Sequence, residues 1–183
     1  MRRSWSGIAD NMMTKRITTR MIVLLGLLAA LEIVLSRFLS ITLWNLKIGF
    51  SFVPIVVAAL LFGPVPAGIM AAVADVIGAT LFPVFTFFPG FTLSAFLTGA
   101  VFGLFLYRRQ SWPRLLAAVA VNVLLLGLLL NSGWISILYG SPYLPLLGTR
   151  IFLECAVMGP VQFLVSAGII QALKRGKFLP DAA

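Results

Sequence analysis

Residues 21–40 read MIVLLGLLAALEIVLSRFLS, and this stretch decides the class of fold. A bilayer-crossing helix needs about 20 predominantly apolar residues. The run meets that length while carrying Glu32 and Arg37. Later apolar runs hold Asp75 and Glu154, with Lys47 and Arg150 near the same depth. Three of the five acidic residues therefore lie inside hydrophobic stretches. A bare charge at mid-bilayer costs roughly 2.5–3.5 kcal/mol on insertion scales. Such groups persist where they face a bundle interior, find partners or line a polar pocket. The stretch predicts a membrane protein with an intramembrane polar site.

Composition narrows the function. The chain is 61% hydrophobic over 183 residues, a size for one domain rather than a large multi-repeat transporter. Its net charge of +9 falls in short Lys/Arg clusters between the apolar runs, as topology determinants do. Those clusters are too short and scattered to form a nucleic-acid groove, so no nucleic-acid partner is expected. There is no His, which excludes His-based acid–base chemistry and His metal sites. The single Cys155 makes neither an intrachain disulfide nor a thiolate cluster, and reads as a small packing residue. No P-loop, GxSxG or metal motif is present, and Ser36 beside Arg37 has no base because Arg stays protonated. The reading is of a non-enzyme without a cofactor. Active transport would draw its energy from a partner or an ion gradient. The lack of a convincing inverted repeat argues against a stand-alone secondary transporter.

The runs predict an all-α protein of six transmembrane helices at about 21–40, 48–63, 67–82, 91–107, 115–130 and 149–173. A basic segment, 1–20, precedes the domain at 21–173, and a tail, 174–183, follows it. Some twenty mixed polar residues ahead of the first run argue against a cleavable signal peptide. The predicted connections include a polar loop at 42–47, a Gly63-Pro64-Val65-Pro66 turn, an aromatic loop at 84–90 and a long one at 131–148. The N-terminal segment, the loop after the fourth span and the C-terminal tail hold five, three and three Lys/Arg. The positive-inside rule then makes both termini cytoplasmic and turns the aromatic loops outward.

The misplaced charges gather toward the outer halves of the spans. Asp75 lies about 12 Å below the outer end near Pro83, at 1.5 Å per residue. Glu154 sits one helical turn from Arg150 in the i,i+4 relation. This arrangement predicts a pocket open to the outside, floored by polar groups and lidded by aromatic loops. The plainer reading makes Arg150–Glu154 a structural ion pair, and makes Asp75 a packing partner of Arg37 or Lys47. The aromatic residues Trp44, Phe87, Phe88, Phe91, Trp134, Tyr139 and Tyr143 fit either an interfacial belt or a stacking site. The belt accounts well for Trp134 and Tyr139, and less well for the Phe residues. Small residues on the first span, Gly26 and Ala30, and on the third, Ala67, Ala71, Ala74, Gly78 and Ala79, offer close helix approach. They serve internal packing or a partner subunit.

Several segments together carry a resemblance: LEIVLSRF at 31–38, LKIGFSF at 46–52, LFGP at 61–64, ADVIG at 74–78 and FPGFTLSAF at 88–96. In this order they resemble the substrate-binding S components of energy-coupling-factor (ECF) transporters, and within them the folate-specific branch. The resemblance spans nearly the whole chain. It implies a six-helix S-component fold in a bacterial cell membrane, with an outward vitamin pocket. It implies partners as well: a transmembrane coupling subunit and two cytoplasmic ATPases, on which the S component topples to carry its ligand inward. The family docks through an Ala-xxx-Ala pattern on the first span, which falls on Gly26 and Ala30, with Gly replacing the first Ala. Folate presents a flat pterin, a benzoyl ring and a dianionic glutamate tail. Chemistry then points to Glu154 or Asp75 for the pterin edge, to Phe88, Phe91 and Tyr143 for stacking, and to Arg37, Lys47 or Arg150 for the tail. Trp44, Phe50, Pro89, Gly90 and Thr92 complete the expected ligand-binding set. The alternatives are an S component for another vitamin or precursor, such as pantothenate or hydroxymethylpyrimidine, and a non-transport membrane assembly protein.

Overall fold

The structure, a computed structural model, describes residues 18–43, 46–83, 86–176 and 178. Helix α1, Thr19–Arg37, starts where the Thr18 side chain accepts a hydrogen bond from the Met21 N–H at 3.3 Å, satisfying one free donor of the first turn. Its lipid-facing side is built from Ile22, Val23, Leu27 and Leu31, while Glu32 and Ser36 are buried one turn apart.

The segment expected as a polar loop is a short antiparallel hairpin, β1 at Ile41–Leu43 and β2 at Leu46–Ile48, with Thr42 opposite Lys47. The alternation of apolar and polar residues on both sides of the turn is the strand period of two, which a search for helical runs passes over. The hairpin displaces the next helix. Helix α2 runs Phe52–Phe62 rather than from residue 48. Eleven residues reach about 16 Å, well short of a hydrocarbon core of about 30 Å. It is also the most enclosed element, packed on α1 and three helices introduced below, and Val56, Ala58 and Ala59 are fully buried.

Gly63 turns the chain with φ 93°, a left-handed conformation that an L side chain resists, and Pro64 opens helix α3, Pro64–Leu81. Helix α4 is Pro89–Leu106. These two helices pack backbone to backbone: a Cβ at Gly99 would stand 2.6 Å from the Ala67 carbonyl carbon, and one at Gly103 would stand 2.3 Å from Pro64 Cα. The stripe on the third span thus serves internal packing, with Ala67, Ala71, Ala74 and Gly78 all buried. The stripe on the first span behaves differently. Gly26 and Ala30 are exposed, and a Cβ at Gly26 would meet nothing within 4 Å.

Helix α5 extends over Trp112–Tyr139, with a wide π-helical stretch at Val121–Leu130. The sequence reading ended this span at 130 and placed a loop at 131–148. Residues 131–139 contain no proline, and the helix tolerates Gly133, so it continues until Gly140 adopts φ 64°. Helix α6, Tyr143–Leu153, follows Pro142 and leads through a π turn, Glu154–Met158, into helix α7, Gly159–Arg175. The last helical run therefore begins six residues before the expected start at 149. Among the described residues five helices are long and apolar enough to cross a membrane, and α2 is a shorter apolar helix.

Candidate ligand site

Helix α4 is the spine of the site. Thr92 donates its hydroxyl to Asp75 Oδ2 at 2.8 Å, and Asp75 Oδ1 lies 3.6 Å from Arg37 Nη2. One carboxylate thereby joins α1, α3 and α4. The Arg37 guanidinium lies across Gly78, where a Cβ would come within 2.9 Å of Nε. Glycine here lets the cation reach between the helices. Arg37 Nε is buried without a hydrogen-bond partner among the described residues.

The second charged group joins α6 to α5. Arg150 Nη2 donates to Glu154 Oε1 at 2.9 Å and to the Gly127 carbonyl at 3.2 Å. Gly127 lies in the π stretch of α5, and a Cβ there would stand 3.0 Å from Glu154 Oε2. Both charged residues are buried. Burial of an ion pair demands that the remaining donors also be met. Arg150 Nε and Nη1 are buried with no partner among the described residues. Each unmet polar group costs on the order of 1–3 kcal/mol. Donors of this kind can bind an anionic or carbonyl-bearing group. No hydrogen bond joins this pair to the Arg37–Asp75 pair among the described residues.

An aromatic group forms at the start of α4. The Phe88 ring meets Phe91 edge-on at 6.1 Å and Trp134 at 5.6 Å. Gly90 makes this possible, because a Cβ there would fall 2.5 Å from the Phe88 ring and 2.6 Å from Trp134. Pro89 occupies the first position of α4, where its missing N–H is harmless. The Trp134 indole N–H donates to Ser94 Oγ at 3.1 Å. That bond ties the partly buried Trp134 to α4, while Tyr139 is half-exposed as a belt residue would be. Tyr143 reaches back to the Leu129 carbonyl at 3.2 Å. Phe50 is exposed and pairs with Phe52 at 6.3 Å, apart from the Phe88 group. Trp44 lies outside the described residues, and only the backbone of Lys47 is described.

Sequence reasoning missed a neutral polar chain through the core. Thr98 Oγ1 lies 3.0 Å from Asn122 Oδ1, and Asn122 Nδ2 donates to Gln162 Oε1 at 3.0 Å, linking α4, α5 and α7. Thr98 Oγ1 also reaches the Ser94 carbonyl at 2.9 Å, so the chain continues to Trp134 through one residue. The signal was present: Asn122 and Gln162 are amides inside apolar spans, where an unmet amide would be expensive. Attention to formal charges passed over them.

Residues 20–172 match the family of ECF transporter substrate-specific components. The chain belongs to this family. Two proteins named Folate transporter FolT are similar to this S component. The one from Clostridium novyi (strain NT) is 38% identical over 160 residues, covering 87% of this chain and 92% of its own length. The one from Leuconostoc mesenteroides subsp. mesenteroides is 34% identical over 158 residues, covering 82% and 84%. A crystal structure of FolT bound with folic acid superposes with a TM-score of 0.79 at 37% identity, covering 83% of this chain and 93% of that one. Kinship is thus with transporter subunits rather than enzymes. With five long apolar helices, the S component is a multi-pass membrane protein.

Proposed function

We propose that this S component captures folate and delivers it to an ATPase-driven ECF module. The observation that carries the reading is the similarity over most of both chains to a FolT crystallised with folic acid. The chemistry of the site supports it. Arg150 offers two buried donors without partners among the described residues, Glu154 and Asp75 offer carboxylates, and Phe88, Phe91 and Trp134 offer ring faces. A carboxylate accepts two parallel bonds from an amidine-like pterin edge, and a guanidinium grips a carboxylate tail in the same bidentate manner. In this assignment Glu154 or Asp75 takes the pterin and Arg37, Lys47 or Arg150 takes the glutamate, while Trp44, Phe50, Pro89, Gly90, Thr92 and Tyr143 shape the cavity.

The proposal includes six spans, with the short α2 counted among them, and both termini cytoplasmic in a bacterial cell membrane. The positive-inside count supports the orientation. Docking on the coupling subunit is assigned to Gly26 and Ala30. Their exposure, with open space over Gly26, leaves that face available to another helix.

Calorimetry of the purified chain with folate tests the assignment, with pantothenate, thiamin and riboflavin as controls. Tight, selective binding at one site per chain is expected. Absence of folate binding by folded protein, or preference for a control vitamin, would overturn it.

A further inference from the structure

Away from the site, α5 and α7 pack against each other at the end of the bundle that carries Arg108, Arg109, Arg114, Lys174 and Arg175. They leave a cleft of about 170 Å³. Apolar Trp112, Leu115, Ala167 and Ile170 line it together with polar Gln110, Ser111, Gln171 and Lys174. We propose that this cleft binds an anionic glycerophospholipid of the phosphatidylglycerol type, headgroup against the polar residues and upper acyl chain along the apolar ones.

Three of these polar residues match that headgroup. Lys174 is exposed, and among the described residues its ammonium reaches the Gln110 carbonyl at 3.5 Å, which leaves most of its capacity for a phosphodiester. Ser111 is the N-cap of α5, yet its side chain makes no capping bond, so its hydroxyl and the N–H groups of Trp112 and Arg114 stand ready for an anion, Pro113 having none. Gln110 is 8% exposed, its Nε2 donates to the Leu106 carbonyl at 3.3 Å, and its Oε1 has no partner among the described residues. A phosphodiester group alone supplies no donor for that oxygen. A headgroup hydroxyl does, after a small rotation of the amide.

The surroundings favour an anionic lipid over a neutral one. All three described acidic residues, Glu32, Asp75 and Glu154, belong to other parts of the bundle. Trp112 is 59% exposed with its ring 5.9 Å from Phe163, the posture of an interfacial anchor.

Fluorescence quenching in reconstituted bilayers tests the site. Brominated phosphatidylglycerol and brominated phosphatidylcholine are compared at equal mole fraction, with the Trp112 contribution taken as the difference between the chain and Trp112→Phe. One basic contact at a membrane surface is worth about 1 kcal/mol, so phosphatidylglycerol is expected to be favoured about fivefold, and Lys174→Gln to bring the two lipids close to parity. Gln110→Leu should reduce the preference, while Arg109→Gln, outside the cleft, should leave it intact. Equal quenching by both lipids would overturn the proposal. So would a loss in Arg109→Gln as large as in Lys174→Gln, which would mean diffuse attraction, or displacement by soluble glycerol 3-phosphate. Retained folate binding shows that each variant is folded.

Discussion

Thr92 and Asp75 sit 17 positions apart in sequence and 2.8 Å apart in space, and their hydrogen bond leaves the other carboxylate oxygen facing Arg37. The arrangement holds α1, α3 and α4 in register at the ends that flank the aromatic group. Removing one member strands the others. Asp75→Ala should lower the unfolding free energy by about 2–3 kcal/mol, less than a fully buried pair because Asp75 keeps some exposure. Thr92→Val should cost about 1 kcal/mol. Thermal melts of the purified variants check this, and Arg37→Ala combined with Asp75→Ala should be less than additive.

Glu154→Gln should weaken folate binding more than tenfold, a loss of about 1.4 kcal/mol or more. An amide presents one acceptor where the carboxylate presents two. Calorimetric affinity unchanged from the parent would remove Glu154 from the site.

Gly127→Ala probes the same carboxylate from the opposite side. The added methyl would stand 3.0 Å from Glu154 Oε2, so the carboxylate must shift by a few tenths of an ångström. Folate affinity should fall about three- to tenfold while the melting temperature changes little, because the crowding atom is the end of a side chain. A large stability loss with unchanged affinity would contradict this account.

Gly90→Ala should be more damaging than Trp134→Phe. The first forces a methyl into two rings at 2.5 and 2.6 Å; the second removes one indole hydrogen bond to Ser94. We expect about 1 kcal/mol of stability for the bond and about 2–3 kcal/mol for the overpacking, with quenched Trp134 fluorescence on folate addition lost in Trp134→Phe.

Replacing Ala30 with a bulky residue should abolish folate uptake or complex assembly while sparing folate binding by the isolated chain. Ala30 is exposed on α1 among the described residues, so the larger side chain points away from their core. Loss of binding as well would show that this face packs internally.

Most of the architecture was legible because each long helix is built on a predominantly apolar run. The pairs Arg37–Asp75 and Arg150–Glu154 were legible too, since charges inside such runs have few ways to persist. What escaped was information of a different kind. The hairpin at 41–48 is written in a two-residue alternation, too short to register beside helices. The extension of α5 to Tyr139 depends on the absence of a breaker in 131–139, which aromatic and glycine content disguised as loop. The Asn122–Gln162 bond links residues 40 apart, and only the crossing of α5 and α7 brings them together. The Ser94–Trp134 bond likewise needs the helix extension before it can be imagined.

The wide stretch in α5 sets the phase of everything that follows it. Each residue of a regular α-helix advances the side-chain direction by about 100°. Shortening 121–130 by a single position would swing Trp134 by roughly that angle away from Ser94, with no change of side chain anywhere near the aromatic group. The spacing within an all-apolar segment therefore acts as a setting for the binding face. A family member one residue shorter there, with every ligand-facing side chain kept, would present a different surface to its vitamin.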